Sequence, residues 1–182
     1  MGTEGESRTG RAEARAAGSR DNYAEAFARL RRLVSERRDH ARGEGSADCV
    51  HSALAIISEA LATPLAKFLE LAASGDVLVF RAGVGFSEAM NGSIVPVQAA
   101  SPAAYVLRHR GAVIFDDIQS TSRFTAAAIL REHGATAALS VRVDDASGVR
   151  GVLSVHAQSE RRFTAAEATF LENAAMMFAE LV

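Results

Sequence analysis

Apolar and polar positions alternate most regularly between Thr136 and His156. Two apolar runs, T-A-A-L-S-V-R-V and V-R-G-V-L-S-V-H, flank the polar stretch D-D-A-S-G. Apolar runs of this length that are joined by a short loop ending in glycine are typical of a β-hairpin. The pattern therefore predicts two antiparallel strands with a five-residue loop, and helical segments precede and follow them.

The two faces of this hairpin differ, because successive side chains of a strand point to opposite sides of the sheet. One face is apolar and is expected to join the core: Ala137, Leu139, Val141, Val143, Val149, Gly151, Leu153 and Val155. The other face is small and partly polar: Ala138, Ser140, Val152, Ser154 and His156. The second face fits either the wall of a pocket with a few convergent polar groups or a surface that lets helices approach closely.

Elsewhere, apolar periodicity and turn residues predict helices and strands in the order α-α-β-β-β-α-β-α-β-β-α. Besides the hairpin, strands are predicted over residues 65–72, 76–82, 94–97 and 112–115. Helices are predicted over about 46–62, 101–109, 125–133 and 164–182, and the last of them begins with a capping box formed by Thr164 and Glu167. Strands joined by tight turns, with helices at both ends, indicate an α+β fold built on an antiparallel sheet.

Two segments precede a predicted domain at residues 46–182. Residues 1–20 are predicted to be a disordered tail, or at most a fraying helix, because they lack the apolar side chains that offset the entropy of ordering. Residues 21–45 are predicted to hold an amphipathic helix with a regularly spaced apolar seam: Tyr23, Phe27, Leu30 and Val34. This seam fits a helix that lies on its own domain, and it also fits a helix that pairs with a second copy of the chain.

Composition narrows the classes of function. The chain has 48% apolar and 23% charged residues and a formal net charge of −2, so neither nucleic acid nor an anionic membrane is expected as a partner. The single cysteine, Cys49, excludes an internal disulfide and any zinc site that needs two thiolates. No apolar run reaches the roughly 18–20 residues of a membrane span, and the N-terminus lacks the apolar core of a signal peptide, so a cytoplasmic protein is expected.

No catalytic motif stands out in the sequence. Nucleophile elbows, phosphate loops, metal-protease motifs and paired acid and base carboxylates are all missing. Cys49 and His51 lie about 200° apart around a helix, so they do not easily share a site. The sequence therefore predicts a binding module with neither enzymatic activity nor a metal centre.

Several segments of the chain follow one another in an order and spacing that point to a known family. They are S-P-A-A-Y-V-L-R-H-R-G-A-V-I-F-D-D-I (101–118), R-F (123–124), L-R-E-H-G (130–134), L-S-V (139–141), R-G-V-L-S-V-H (150–156) and R-F-T-A-A-E-A-T-F-L (162–171). Together they resemble the GAF domain family, a class of sensory and regulatory modules, over about residues 48–182. The resemblance implies a six-stranded antiparallel sheet with the N- and C-terminal helices on one face and pocket-forming connections on the other.

Candidate ligand-binding residues follow from the resemblance and from the polar hairpin face: Tyr105, His109, Asp116, Arg123, Phe124, His133, Ser140, Ser154 and His156. Arg123 is suited to pairing with an anionic ligand, although an exposed loop arginine is the simpler interpretation. His109 and His133 each end a predicted helix, where a cation is favoured for purely local reasons. The stretch from Gly151 to His156 matches the spacing that brings a histidine to the chromophore in phytochrome-type GAF domains, but the accompanying P-A-S-D-I-P segment is missing.

Three hypotheses of function remain open. The first is a sensory module of signal transduction that binds a small molecule of unknown identity and transmits a change through flanking helices. The second is a ligand-free dimerisation or protein-interaction module, a homodimer through the Tyr23–Val34 helix and the Phe170–Leu181 helix. The third and weakest is a sensor of a tetrapyrrole, either bilin or haem. The chain has no kinase, cyclase or DNA-binding segment, so it is expected to act on a partner or to be part of a longer signalling protein.

Overall fold

The helices and strands follow one another as the sequence predicts. The computed structural model describes residues 4–39, 46–98, 100–118 and 128–182. The helices are α1 (Glu4–Asp39), α2 (Ser46–Ala60), α3 (Pro102–Leu107), α4 (Ala128–Glu132) and α5 (Ala165–Phe178). The strands are β1 (Leu65–Leu71), β2 (Val77–Val84), β3 (Ile94–Pro96), β4 (Val113–Phe115), β5 (Ala137–Asp145) and β6 (Gly148–Ala157). A short 3-10 helix, Glu88–Met90, is an addition to the predicted order.

Within the described residues, six strands form one sheet in the order β3-β2-β1-β6-β5-β4. Every neighbouring pair of strands is antiparallel. The central pair joins β1, near the start of the domain, to β6, near its end, and places Lys67 directly opposite Ser154. The predicted α+β fold with a six-stranded antiparallel sheet is therefore confirmed.

The sheet separates two apolar clusters, because each of its faces is covered by other elements. On one face, α1, α2 and α5 pack over strand residues such as Phe68, Leu139 and Val155. On the other face, α3 and the connections on either side of β4 cover residues such as Leu69 and Val152. The N- and C-terminal helices thus share one face and the connections occupy the other, as the resemblance implies.

The hairpin has the predicted faces over most of its length but a shorter turn. Leu139 pairs with Val155 and Ser140 pairs with Ser154. The strands run to Asp145 and resume at Gly148, so the turn has two residues instead of the five predicted. The Asp145 carboxylate accepts hydrogen bonds from the backbone N–H groups of Ser147 and Gly148, at 2.7 and 3.1 Å, and this tightens the turn.

One residue of the hairpin lies on the opposite face from the one predicted. The pairing between β5 and β6 shifts register next to Val143, where Arg150 is left without a directly opposite residue. An extra residue in one strand reverses the alternation beyond it. Val149 consequently packs against the cluster beneath α3 and not with Leu153 and Val155.

Helix α1 begins at Glu4, whereas the sequence predicts a disordered tail or at most a fraying helix over residues 1–20 and a stable helix from Tyr23. Ala, Arg and Glu dominate this first part of α1, and all three have high intrinsic helix propensity even without an apolar face.

No helix of the described residues is long and apolar enough to cross a membrane.

The apolar seam of α1 packs against its own domain. Leu30 is completely buried, and Val34 is 7% exposed. The Tyr23 ring stacks on Phe170 of α5 with ring centroids 4.4 Å apart, and the Phe27 ring lies 5.0 Å from the same residue. Of the two interpretations of the seam, the structure therefore contains the helix that lies on its own domain. The homodimer remains a prediction.

Candidate functional site

A small cavity of about 30 Å³ lies between the polar face of the hairpin and the connections that cover it. Strands β1, β5 and β6 form its floor, and α3 with the residues around it forms its roof. Most of the lining is apolar, with a few polar side chains among it. The lining residues are Lys67, Leu69, Val95, Ser101, Pro102, Ala103, Ile118, Leu130, Ala138, Ser140, Ser154 and His156.

Three polar residues form a row across the floor of the cavity. Lys67 of β1 lies opposite Ser154 of β6, which in turn lies opposite Ser140 of β5. The Ser140 hydroxyl donates a hydrogen bond to the Ser154 hydroxyl at 2.9 Å, and both serines are 3% exposed. His156 is two residues further along β6 on the same face, so strand alternation alone brings all four side chains to one side of the sheet.

Lys67 is a buried cation and the only lysine of the chain. It is 5% exposed, and burial lowers its pKa from 10.5 to about 8, because the apolar surroundings disfavour the charged form. At neutral pH the ammonium group is still mostly protonated. Within the described part of the chain, no carboxylate forms an ion pair with it. Its Nζ lies 5.9 Å from the centre of the Phe86 ring, a distance at which a cation–π attraction gives some compensation.

His156 is a second buried polar side chain of the cavity. It is 3% exposed, and neither ring nitrogen has a partner among the described residues. Its pKa is well below 6.5, first because burial disfavours the imidazolium ion and second because the Lys67 cation lies nearby. The imidazole is therefore neutral at physiological pH, and it presents one N–H donor and one acceptor nitrogen.

The Phe86 side chain lies over Lys67 and His156. Its ring lies edge-on to His156 at 6.3 Å and tilted to His133 at 4.9 Å. Gly83 pairs with Lys67 across the sheet, and a Cβ at that position would come within 2.9 Å of the Phe86 ring. The absence of a side chain at Gly83 thus allows Phe86 to lie over the cavity residues.

The structure brings Ser140, Ser154 and His156 together in the cavity wall, as the polar hairpin face suggests. Their role in binding a ligand remains a prediction. Lys67 and Phe86 were missed by the sequence analysis. A signal for Lys67 exists, since L-A-K-F-L places a lone lysine between Leu65 and Leu69 on one face of a strand that is otherwise apolar.

Four other candidates lie outside the cavity lining. Tyr105 stacks on His109 with centroids 3.6 Å apart, and the His109 ring Nδ1 donates to the Tyr105 carbonyl oxygen at 2.6 Å. The His133 ring likewise donates to a carbonyl one turn earlier in its helix, at 2.9 Å, which is the local role expected near a helix C-terminus. Asp116 is exposed beside a polar surface groove.

Arg123 and Phe124 lie outside the described residues. Cys49 is half-buried on α2 and packs against the cluster on the opposite face of the sheet from the cavity. The chain's single thiol is therefore separated from the cavity by the sheet itself.

The contents of the cavity restrict the chemistry that it supports. A group of three or more side chains able to hold a metal ion is absent from the described residues. A volume of about 30 Å³ is a tenth of the roughly 300 Å³ at which ordinary ligand pockets begin, so a bilin or haem does not fit the cavity in this form. What the side chains offer is hydrogen-bond donors and one positive charge, which suit a compact group with acceptor oxygens.

Comparisons with known proteins agree with this architecture. The family model described as GAF domain matches residues 46–181. A search of curated proteins by sequence found no match. Among solved structures, the GAF domain of a phosphoenolpyruvate-protein phosphotransferase from Coxiella burnetii has 14% identity and a TM-score of 0.72, over 87% of this chain and 92% of that one.

Two further similar structures come from proteins of other kinds. One is a free methionine-R-sulfoxide reductase from Neisseria meningitidis in complex with its substrate, with 16% identity, a TM-score of 0.68 and 87% of each chain covered. The other is the GAF domain of a two-component sensor histidine kinase from Bacillus halodurans, with 18% identity, a TM-score of 0.59 and coverage of 70% of this chain and 87% of that one. At these identities the likeness shows the fold alone. Together with the match over residues 46–181, it shows that this chain belongs to the GAF domain family, the sensory and regulatory modules of signalling proteins.

Proposed function

We propose that this chain is a sensory GAF module that binds a small molecule in the cavity and transmits the change through α1 and α5. The observation that carries the proposal is a pair of buried polar side chains in the cavity lining, Lys67 and His156. Most buried polar groups in folded proteins have hydrogen-bond partners, and an exception calls for an explanation such as a ligand. Within the described residues, His156 has no hydrogen-bond partner and Lys67 has no ion-pair partner, and both line the same cavity.

The strands under the cavity connect it physically to the terminal helices. Ser140 and Ser154 face the cavity, while their neighbours Leu139 and Val155 face the cluster formed with α5. Helix α5 in turn holds α1 through the stacking of Phe170 with two aromatic rings. A ligand that displaces β5 and β6 therefore acts on the surface against which α5, and through it α1, is packed.

A cavity-filling variant provides the test. Ala138 is 1% exposed and lines the cavity, so Ala138→Val adds two methyl groups to a space of about 30 Å³. Ala146→Val makes the same chemical change at an exposed position in the hairpin turn. The thermal unfolding of the wild type and both variants is measured against a panel of anionic, neutral and cationic small molecules, after circular dichroism has established that each variant is folded.

The proposal predicts at least one compound that raises the Tm of the wild type and of Ala146→Val but not that of Ala138→Val. A compound that stabilises all three proteins equally binds elsewhere and contradicts the role of the cavity. A panel without effect on the wild type contradicts ligand binding as the function.

Dimerisation is a separate proposal, motivated by the helices α1 and α5 at the two ends of the fold. The seam from Tyr23 to Val34 is already packed within the chain, so a dimer would have to use the remaining surface of these helices. Light scattering of the full chain distinguishes a dimer of about twice 19.2 kDa from a monomer, and a strict monomer would exclude it.

A further inference from the structure

The charge of the cavity is unbalanced, and this imbalance identifies a class of ligand. The inference rests on the proposed function, because it concerns the occupant of the same cavity. We propose that the cavity binds the carboxylate group of a small aliphatic acid, with Lys67 as its counter-ion and Ser154 and His156 as hydrogen-bond donors.

The charged side chains of the cavity lining favour an anionic ligand. Lys67 and His156 are the titratable side chains among the described residues that line the cavity, and Glu and Asp are missing from that lining. A buried ammonium group without a partner is costly, and an anion placed beside it offsets that cost. A neutral or cationic ligand would leave the imbalance in place or increase it.

The hydrogen-bonding groups of the cavity wall favour a ligand group that accepts hydrogen bonds. Lys67 offers three N–H donors, and the neutral His156 ring offers one. Ser140 uses its hydroxyl hydrogen on Ser154, so the Ser154 hydroxyl hydrogen remains available. Donors therefore outnumber acceptors in this set, and an ionised carboxylate, which only accepts, complements them.

The volume of the cavity limits the group that it can hold. A water molecule needs roughly 10–15 Å³ of cavity volume, so about 30 Å³ accommodates about two oxygen atoms. The two oxygens of a carboxylate group match this space. Leu69, Val95 and Leu130 make the rest of the wall apolar, so a body attached to the carboxylate has to be short and aliphatic, and these side chains have to move apart to admit it.

Lys67 is also an isolated spectroscopic reporter, because the chain has no other lysine. Protein grown with lysine labelled with ¹³C at Cε gives a single Lys67 signal, which is followed by NMR during titration with propionate. Propionamide, which has the same shape without the charge, and inorganic phosphate are titrated in parallel. The expected result is a saturable shift with propionate and a rise in the pKa of Lys67, since a neighbouring anion favours the ammonium form.

Two variants make the assignment specific. Lys67→Met keeps an unbranched side chain in the cavity without the charge, and it is expected to lose propionate binding at least tenfold while remaining folded. Ser154→Ala removes one donor and is expected to weaken binding about fivefold, the effect of one typical hydrogen bond. Ser159→Ala, at an exposed position, is the matched control and should bind as the wild type does.

Equal shifts with propionamide, preferential binding of phosphate, or undiminished binding of propionate to folded Lys67→Met would each overturn the carboxylate assignment. Absence of any response to propionate would overturn it as well. The proposed function would survive those results if another compound stabilises the wild type but not Ala138→Val, and it would fail together with the assignment if none does.

Discussion

Replacing Lys67 with methionine should stabilise the unliganded protein at neutral pH. The group is buried, and its pKa falls from 10.5 in the unfolded chain to about 8 in the fold. This difference of about 2.5 units corresponds to about 3 kcal/mol, at about 1.4 kcal/mol per unit, by which folding is disfavoured while the lysine is charged. Methionine keeps an unbranched side chain in the same space and removes the charge, so most of this cost should be recovered.

The difference in the free energy of unfolding between Lys67→Met and the wild type should depend on pH, in a direction set by the pKa of Lys67. Between about pH 8 and 10.5, the unfolded state binds more protons at this site than the folded state does, so the free energy of unfolding of the wild type rises with pH through this window. Lys67→Met lacks the group, and its advantage should therefore shrink by about 3 kcal/mol between pH 7 and pH 10.5. Urea unfolding at several pH values measures this difference directly.

The matched control is Arg110→Met, which removes a cation from an exposed position. Arginine remains protonated throughout the window, so this variant should differ from the wild type by less than about 0.5 kcal/mol and equally at each pH. A Lys67→Met variant that is less stable than the wild type at pH 7, or a stability difference that does not change with pH, would refute a destabilising buried charge at Lys67.

Three further variants test other parts of the account by urea unfolding. Because the pKa of His156 lies well below 6.5, the free energy of unfolding of the wild type should fall as pH decreases below 6.5, with a slope of up to about 1.4 kcal/mol per pH unit. The variant His156→Leu should abolish that slope, whereas His51→Gln, at an exposed position, should keep it. Phe170→Ala should cost about 4 kcal/mol and release α1, measured as faster proteolysis of that helix, because two aromatic rings of α1 pack on this side chain. Gly151→Ala should cost about 3 kcal/mol, since its Cβ would lie 2.1 Å from a carbonyl oxygen of β1. Gly148→Ala also suffers the strain of a positive φ, but its Cβ would meet no atom within 4 Å, so it should cost less. Equal losses for the two glycines would contradict this explanation.

The sequence predicted most of the fold because local signals and tertiary structure agree in this chain. Thr164 caps α5 and forms the predicted box with Glu167, and Ser101 caps α3 with Pro102 in its first turn. The alternation of side chains correctly placed Ser140 and Ser154 opposite Leu139 and Val155 on the two faces of the hairpin. These features depend on a few neighbouring residues, and such residues can be interpreted without knowing the rest of the structure.

Two of the features that the sequence did not predict depend on contacts between distant segments, and a third depends on local helix propensity. Lys67 belongs to the cavity because β1 pairs with β6, and this register is not encoded near residue 67. Val149 changes face because of a single irregularity in the pairing with β5. The start of α1 at Glu4 reflects helix propensity, which the low hydrophobicity of the segment concealed.

The charge state of Lys67 is the central physical claim, and direct titration of its labelled Cε resonance in the unliganded protein tests it most directly. The single signal should move with an apparent pKa of about 8. The Phe86→Leu variant removes the nearby aromatic ring while keeping the site covered, and it should lower this pKa further, because a cation–π contact stabilises the charged form. An apparent pKa near the ordinary value of 10.5 would mean that Lys67 reaches solvent, and it would contradict a buried cation without a carboxylate partner as the basis of the site.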